Sequence, residues 1–423
     1  MQPAVMSIAR TASRYRWTVC GLLFFATVIN YMDRQILGLL APVLQHDIGW
    51  TQLQYGRIVI AFSAFYAVGL LGFGKVVDRI GTRLSYAVAM VMWSVAAVLH
   101  AAVSSVMGFA VVRALLGIGE GGNFPSAIKA TAEWFPRRER ALATGIFNSG
   151  ANIGAVFAPA IIPPLAVAFG WRAAFVVIGA LGLVWMVAWL AIYRPADQHR
   201  AEYEEAHEDE PVEVAGPAPT WRSLLKMRET WAFIIGKFLT DPVWWFYLFW
   251  LPKWLNESRG MDLQHIGPPL VAIYALTTVG SVGGGWISSA LLRRGYSVNF
   301  SRKTAMLICA CCVLPIVFVS QVDSLWGAVA IVGLAAAAHQ GWSANLFTTP
   351  SDMFPQRAVG AVVGIGGMAG SIGGVLFSEV IGQVLQRTGH YWVLFAIGAL
   401  GYLAALGVMH LLVPDIKQRK LAQ

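Results

Sequence analysis

The sequence predicts an all-α membrane protein of twelve transmembrane helices in two six-helix halves, with both termini cytoplasmic. Three observations carry this. Of the 423 residues 57% are hydrophobic and only 13% are charged, whereas a soluble domain has about 25% charged residues. Apolar stretches of roughly 20 residues, enough to cross a bilayer, recur along the whole chain. Basic residues concentrate in alternate loops, as the positive-inside rule requires of a multi-pass bundle.

The first six spans fall near 17–41, 53–74, 84–105, 107–131, 140–165 and 171–193. After a polar gap the second six fall near 230–255, 265–292, 303–321, 325–350, 357–386 and 390–413. This divides the chain into an N-terminal half (1–194), a cytoplasmic linker (195–228) and a C-terminal half (229–423). With both ends inside, the cytoplasmic segments hold 22 of the 31 Lys and Arg residues and the outer loops 5. That asymmetry fixes the topology and accounts for the net charge of +9. No basic stripe with stacking aromatics lies outside the membrane, so nucleic acid is not a partner. The basic start and the long first span read as a retained helix, not a cleaved signal peptide. The cysteines, Cys20, Cys309, Cys311 and Cys312, all lie in spans and read as packing residues; no metal site or disulfide framework is implied.

The first span closes on INYMDRQILGLLAP, which places Asn30, Tyr31, Asp33 and Arg34 in its outer half. Adjacent residues on a helix point in different directions, so Asp33 and Arg34 each need a partner of their own. One arrangement turns Asp33 toward Arg113 and Arg34 toward the cavity. In the other, Arg34 snorkels to the outer interface.

Between spans two and three lies GKVVDRIGTR, residues 74–83, with the pattern G-x-x-x-D-R-x-G-x-R. Gly74 and Gly81 predict a tight cytoplasmic turn. Asp78 is placed to meet a helix N-terminus or a basic partner, and Arg79 and Arg83 to pair with carboxylates. Such a latch is made in one conformation and broken in another, and it gates without choosing the substrate. The loop resembles the signature loop of the major facilitator superfamily of transporters, and its place between spans two and three of a twelve-span chain supports the resemblance.

The fourth span, VVRALLGIGEGGNFPSAIKATAEWFP, carries Arg113, Glu120 and Lys129. One charge near a bilayer centre costs on the order of 3 kcal/mol on insertion scales, so three in one span need a reason. Arg113 and Glu120 are seven residues apart, about two helical turns, and project from one face. That face looks onto other helices or a water-filled cavity. It holds either an inter-helix ion pair that fixes packing or a functional pair.

The stretch ATAEWFPRRERALATGIFNSGANIGAVFAP has a counterpart 219 residues later, PSDMFPQRAVGAVVGIGGMAGSIGGVLFS. Without a gap, Glu133 falls on Asp352, Phe135 on Phe354, Pro136 on Pro355, Gly145 on Gly364 and Gly154 on Gly373. This internal repeat is the expected trace of two homologous halves. The same offset puts Glu120 on His339 and Asn152 on Ser371, and so nominates residues facing each other across a central cavity.

Span five is rich in small residues, which let backbones approach closely. Asn148 and Asn152, at i and i+4, form an amide stripe suited to sugar hydroxyls. The linker holds an acidic run from Glu202 to Glu210 and then a Pro-rich piece, and reads as solvated. Span seven holds Lys237, Asp241 and Pro242 followed by Trp244, Trp245 and Tyr247. The proline is expected to break the helix, and the aromatics are either an interfacial belt or a stacking platform for a sugar ring. Span ten holds His339, Gln340, Trp342, Asn345 and Thr348.

Several stretches also resemble the anion:cation symporter family, and most closely its hexuronate transporters. They are YMDR in span one, RALLGIGEGGNFPSAIKATAEWFP in span four, FNSGANIGAVFAP in span five, FLTDPVWWFYLFWLPKWL in span seven and AHQGWSANLFTTPSDMFP in span ten. The resemblance implies import of sugar acids with protons or sodium. It makes Arg34 the arginine that meets the substrate carboxylate and Asp33 the neighbouring acid that is protonated. It makes Arg113 and Glu120 the pair that couples proton movement to binding, and Tyr31 and Tyr66 the tyrosines lining the cavity.

Together these readings predict a proton-coupled symporter importing hexuronates, glucuronate or galacturonate, by alternating access. Burial favours the neutral forms of Asp33 and Glu120 while Arg34 and Arg113 favour the charged ones, so their proton affinity follows conformation and bound anion. Asn148, Asn152, Trp244, Trp245, His339, Gln340, Asn345 and Ser371 are expected to read the hydroxyls and ring. The protein is expected to be a multi-pass monomer in a bacterial inner membrane, with a sugar-acid anion and protons as its partners and no cofactor. Galactonate or glucarate as substrate, or sodium as the coupling ion, are the same-fold alternatives. A membrane sensor without transport is the remote one, though no soluble domain is present to carry a signal. No phosphate loop, nucleophile elbow or metal-spacing cluster argues for an enzyme.

Overall fold

A computed structural model describes residues 2–135, 137–194 and 220–417. Residues 195–219, most of the expected linker, and Pro136 lie outside the described residues. The described residues are helical throughout, with no strand among them. By internal contacts the chain divides into two units, Met1–Ile48 with Ala61–Val214, and Gly49–Ile60 with Ala215–Gln423. The opening turns of the second predicted span therefore group with the second unit. There the Tyr55 hydroxyl donates to the Phe249 carbonyl and its ring packs edge-on against Trp250, centroids 4.7 Å apart.

The first unit contains α1 (Gln2–Ile48), most of α2 (Gln52–Leu99), α3 (Val106–Glu120), α4 (Asn123–Trp134), α5 (Arg137–Phe169) and α6 (Trp171–Ile192). Predicted spans two and three are one helix, α2, interrupted only at Gly81 (φ 78°, ψ 165°). The tight turn expected from two glycines is made by one. Gly81 alone leaves the helix, into a region that costs glycine nothing, whereas Gly74 stays helical. The predicted fourth span is two helices, because Gly121 and Gly122 interrupt the ladder between α3 and α4. A Cβ on either would overlap the Gly69–Leu70 backbone or the Ala89 and Phe73 side chains. Close approach, not a charge, sets this break.

The second unit contains α7 (Trp221–Leu224), α8 (Arg228–Phe249), α9 (Leu251–Arg259), α10 (Gly267–Arg293), α11 (Val298–Val313), α12 (Leu325–Met353), α13 (Gln356–Thr388) and α14 (Trp392–Leu412). Ser297 and Ser324 begin α11 and α12, and Ser105 begins α3, each hydroxyl accepting the N–H three residues on. Span seven was expected to break at Pro242, and it does not. Pro242 sits inside continuous α8, and the chain turns at Trp250 instead. The proline deprives the Phe238 carbonyl of its helical donor, and that carbonyl lies against Gly373 of α13.

Among the described residues nine helical segments are long and apolar enough to cross a membrane. The three predicted spans outside that set are one, four and seven. Span four is divided into the short helices α3 and α4, and Asp33 and Arg34 in span one and Lys237 and Asp241 in span seven dilute the apolar run. The internal repeat is built into the packing. In the first unit α1 lies on α5, and a Cβ on Gly154 would overlap the Val28 carbonyl; in the second α8 lies on α13, and a Cβ on Gly373 would overlap the Phe238 carbonyl. Likewise Gly69 meets the Ile118 carbonyl and Gly280 the Ala337 carbonyl. Small residues at such contacts are what membrane helices need, since lipid gives no hydrophobic drive for association.

Candidate functional site

The first unit gathers four of its intramembrane charges, those of Asp33, Arg34, Arg113 and Glu120, into one cluster. Arg34 is 3% exposed, and Arg113 and Glu120 are fully buried. Arg34 donates to Glu120 Oε2 from Nε at 3.0 Å and from Nη2 at 2.8 Å, and Nη2 also reaches Asn30 Oδ1 at 3.2 Å. Both ionic bonds fall on one carboxylate oxygen, and Oε1 of Glu120 accepts no hydrogen bond. The guanidinium carbon lies 4.8 Å from the Tyr31 ring centroid, 5.3 Å from Phe62 and 4.7 Å from Tyr66. Three aromatic faces and one carboxylate thus enclose the cation, a setting in which cation–π attraction is largely unscreened by water.

The shared face of Arg113 and Glu120 allowed an inter-helix ion pair, and the structure forms one: Glu120 pairs with Arg34, and Arg113 donates to the Arg34 backbone carbonyl at 3.4 Å. The reason is direction. Arg113 and Glu120 rise along the same face of α3, seven residues apart, while Arg34 comes from α1 across the gap. Arg34, expected to face the cavity, is closed over here by Glu120 and the three rings. Asp33 is 1% exposed, neither carboxylate oxygen accepts a hydrogen bond, and the charges acting on it are those of Glu120 and Arg113. A buried carboxylate without a donor is costly to keep ionised and rare in a structural role.

Phe62 was missed in the sequence. It stands four residues before Tyr66, and the two rings stack with centroids 5.8 Å apart. That i,i+4 aromatic pair on one face of span two was the available signal.

In the second unit His339 is buried, stacked on Trp244 with centroids 5.5 Å apart and planes 3° from parallel. Its Nδ1 lies 2.6 Å from the Tyr402 hydroxyl. Trp245 is half-buried and stacks on Phe249. Asn345 was nominated to read substrate, but its amide donates to the Gly284 and Gly341 carbonyls, both at 2.9 Å. It fastens α12 to α10, where glycines bring the backbones close enough for a side-chain amide to span both. Ser371 donates back to Gly367 at 3.1 Å within α13. Gln340 is half-buried, Asn148 exposed and Asn152 half-buried. The two asparagines stand two residues from Gly150 and Gly154, which contact α1, and so lie on the opposite side of α5.

The latch at residues 74–83 differs from expectation in its partners. Arg83 donates to the Leu190 carbonyl near the end of α6 rather than to a carboxylate, and Trp189 donates to the Arg83 carbonyl. The last carbonyls of a helix carry partial negative charge and attract a cation much as a carboxylate does. The carboxylate here is Glu133, which accepts from Thr82 at 2.7 Å and from the Tyr193 hydroxyl. Lys129 donates to the Val77 carbonyl at 3.0 Å. Arg79 is exposed, and the side chain of Asp78 lies outside the described residues. The repeat mate of Glu133, Asp352, pairs with Arg302 at 2.9 Å. Among the described residues no three His, Cys, Asp or Glu side chains come together as a metal site needs.

The family model for the Major Facilitator Superfamily matches residues 23–378. The chain is 30% identical over 394 residues to a hexuronate transporter of Escherichia coli strain K12, covering 91% of each. It is 27% identical over 428 residues to a D-galactonate transporter of Escherichia coli O6:H1, covering 97% of this chain and 98% of that one. The crystal structure of a D-xylose-proton symporter superposes with a TM-score of 0.74 at 15% identity, covering 95% of this chain and 99% of that one.

Proposed function

Because this chain belongs to the Major Facilitator Superfamily, and is therefore a multi-pass membrane transporter and not an enzyme, we propose that it is a proton-coupled symporter importing hexuronates such as glucuronate or galacturonate. The observation that carries this is the caged guanidinium of Arg34. A permanently charged, planar donor fork, buried among Tyr31, Phe62 and Tyr66, matches a substrate carboxylate in shape and charge. Glu120 occupies it in this conformation.

A proton arriving on Glu120, whose Oε1 accepts no bond, neutralises the competing carboxylate and leaves Arg34 to the incoming anion. Asp33, next in the chain and without a donor, supplies a second place for a proton, and Arg113 supplies the positive field that both acids feel. Proton loss restores the Arg34–Glu120 pair and expels the substrate carboxylate. The substrate carboxylate and the Glu120 carboxylate thus exchange for one another on a single cation, and substrate and proton are held together, the differential interaction that coupling requires. The hexuronate assignment is supported by the 30% identity to a hexuronate transporter over nine-tenths of the chain. The galactonate relative, matched over 97% of this chain, favours an aldonate as the second reading.

The test is uptake of radiolabelled glucuronate by proteoliposomes with and without an inward proton gradient, competed by galacturonate, galactonate and glucarate. Gradient-dependent uptake blocked best by uronates is the expected result. Stronger competition by galactonate moves the specificity to the second reading. Uptake indifferent to the gradient removes proton coupling.

A further inference from the structure

The second unit holds a mid-helix ion pair that the reading above does not use. Lys237 and Asp241 stand one turn apart on α8, with Nζ and Oδ2 2.6 Å apart and side chains 6% and 20% exposed. They sit about halfway along the 22 residues of α8, far from either end where a long side chain could reach water. The ammonium lies 4.0 Å from the centroid of the Phe347 ring on α12. On the other side α13 presents Gly370 to the carboxylate, and a Cβ there would overlap Asp241 Oδ2. One turn on, the same two helices meet at Pro242 and Gly373. The carboxylate is therefore itself part of the α8–α13 contact, and a change in its charge acts directly on that contact.

This pair is not a copy of the one in the first unit. The Gly154–Val28 and Gly373–Phe238 contacts set α1 and α8 in register 210 residues apart. In that register Lys237 and Asp241 correspond to Thr27 and Tyr31, which carry no charge. An exposed i,i+4 pair contributes a few tenths of a kcal/mol to a helix, whereas two charges inside a membrane span are expensive and mark ion or substrate pathways. The other titratable groups facing the pair are His339 on α12 and Tyr402 on α14; α13 contributes glycines at positions 370 and 373.

Resting on the proton-symport reading, we infer that Asp241 carries the second coupled proton of the transport cycle, the first being shared by Glu120 and Asp33, with Lys237 as its counter-ion. The step is a simple transfer. A proton adds to the Asp241 carboxylate to give the neutral acid, Lys237 keeps its ammonium charge, and the pair passes from net zero to net +1. Loss of that proton to the other side of the membrane restores the ion pair. An anion is thus met by two protonation events, one in each unit.

The test counts protons directly. Proteoliposomes carrying the full-length protein, with membrane potential clamped at zero and a pH dye in the lumen, are given radiolabelled glucuronate, or galactonate if that is the acid taken up. Each coupled proton raises the limiting accumulation by about tenfold per unit of pH gradient. The wild type is expected to reach about a hundredfold, and Asp241→Asn to fall to about tenfold with one proton fewer per substrate. Should Asp241→Asn fail to give a monodisperse protein, the double variant Lys237→Met with Asp241→Asn removes both charges and is expected to show the same one-proton transport. Gradient-driven transport with equal proton counts in wild type and variant overturns the inference and leaves the symport reading intact. A wild type that moves no protons overturns both.

Discussion

In the first unit Arg34 and Glu120 form a buried ion pair between α1 and α3. At the corresponding positions of the second unit, 210 and 219 residues on, Trp244 and His339 stack ring on ring between α8 and α12. The backbones around the two pairs are alike. Glycine at 154 and at 373 admits the carbonyl of Val28 and of Phe238, and glycine at 69 and at 280 admits Ile118 and Ala337. The side chains are not alike. The cage residues Phe62 and Tyr66, carried 211 residues on by the Gly69–Gly280 register, become Ile273 and Thr277. A repeat of this kind thus predicts where a residue stands and says little about what it does. Helix-to-helix contact tolerates only small residues, whereas the space between the contacts accepts either a charge pair or a ring pair of similar volume.

The comparison breaks most decisively at Arg34. With Arg34→Ala, saturable sugar-acid uptake is expected to fall by a hundredfold or more, because the donor fork held among Tyr31, Phe62 and Tyr66 is lost. Folding is also expected to suffer by about 3–5 kcal/mol, since Glu120 is left buried and uncompensated. The double variant Arg34→Ala with Glu120→Gln separates the two effects. It is expected to regain thermal stability, measured on purified protein, without regaining uptake. Normal transport by a well-folded Arg34→Ala would remove the clamp.

Next in size is Glu120→Gln. A glutamine mimics the protonated acid in shape and in charge, and it cannot restore the ion pair that resets the empty carrier. Substrate exchange across the membrane is therefore expected to persist while net gradient-driven accumulation disappears, even with Asp241 intact. Counterflow and net uptake measured on the same vesicles distinguish these. Full accumulation by Glu120→Gln would place proton coupling elsewhere. The equivalent change in the second unit, at His339, is expected to have no such consequence, because the ring pair with Trp244 holds no ion pair to break.

A third test addresses what the units share. Gly154→Val and Gly373→Val each force a branched side chain against a carbonyl, and each is expected to destabilise by about 1–3 kcal/mol. The two melting temperatures should fall together even though one glycine neighbours the Arg34 cluster and the other stands beside the Lys237–Asp241 pair. Widely different shifts would mean that the repeat is not carried by these contacts.

How much of this was legible in the sequence follows from the same contrast. Apolar runs, turn glycines and the 219-residue register are periodic or local signals. They predicted twelve spans, of which nine are long apolar helices among the described residues, and the glycines they matched stand at matching helix contacts. The charges in spans one, four and seven announced a site, and Asp33, Arg34, Arg113, Glu120, Tyr31 and Tyr66 do come together in one cluster. Partner choice was not legible. Arg113 and Glu120 share a face by spacing, yet the ion pair reaches across to Arg34, because spacing describes one helix and pairing depends on two. Asn345 and Arg83 were misjudged for the same reason. A polar side chain in a membrane span has either a ligand or a neighbouring backbone carbonyl to meet, and only the second helix decides which. Phe62 was overlooked because an apolar residue in an apolar span carries no contrast.

The smallest effect is the sharpest discriminator. His339→Phe keeps a flat ring for Trp244 to stack on and removes only the bond between Nδ1 and the Tyr402 hydroxyl. A buried hydroxyl left without its partner costs about 1–3 kcal/mol, so a modest drop in melting temperature is expected. Uptake is expected to stay within about threefold of wild type, a loss of roughly 0.7 kcal/mol or less. Tyr402→Phe should cost a similar amount. The double variant should cost less than either single change, since it removes both groups and leaves neither buried without its partner. If instead His339 relays protons or reads a substrate hydroxyl, His339→Phe lowers uptake by far more than threefold, and Tyr402→Phe does not reproduce the loss. The ring pair would then join the ion pair as a functional element, and the two units would differ in chemistry but not in importance.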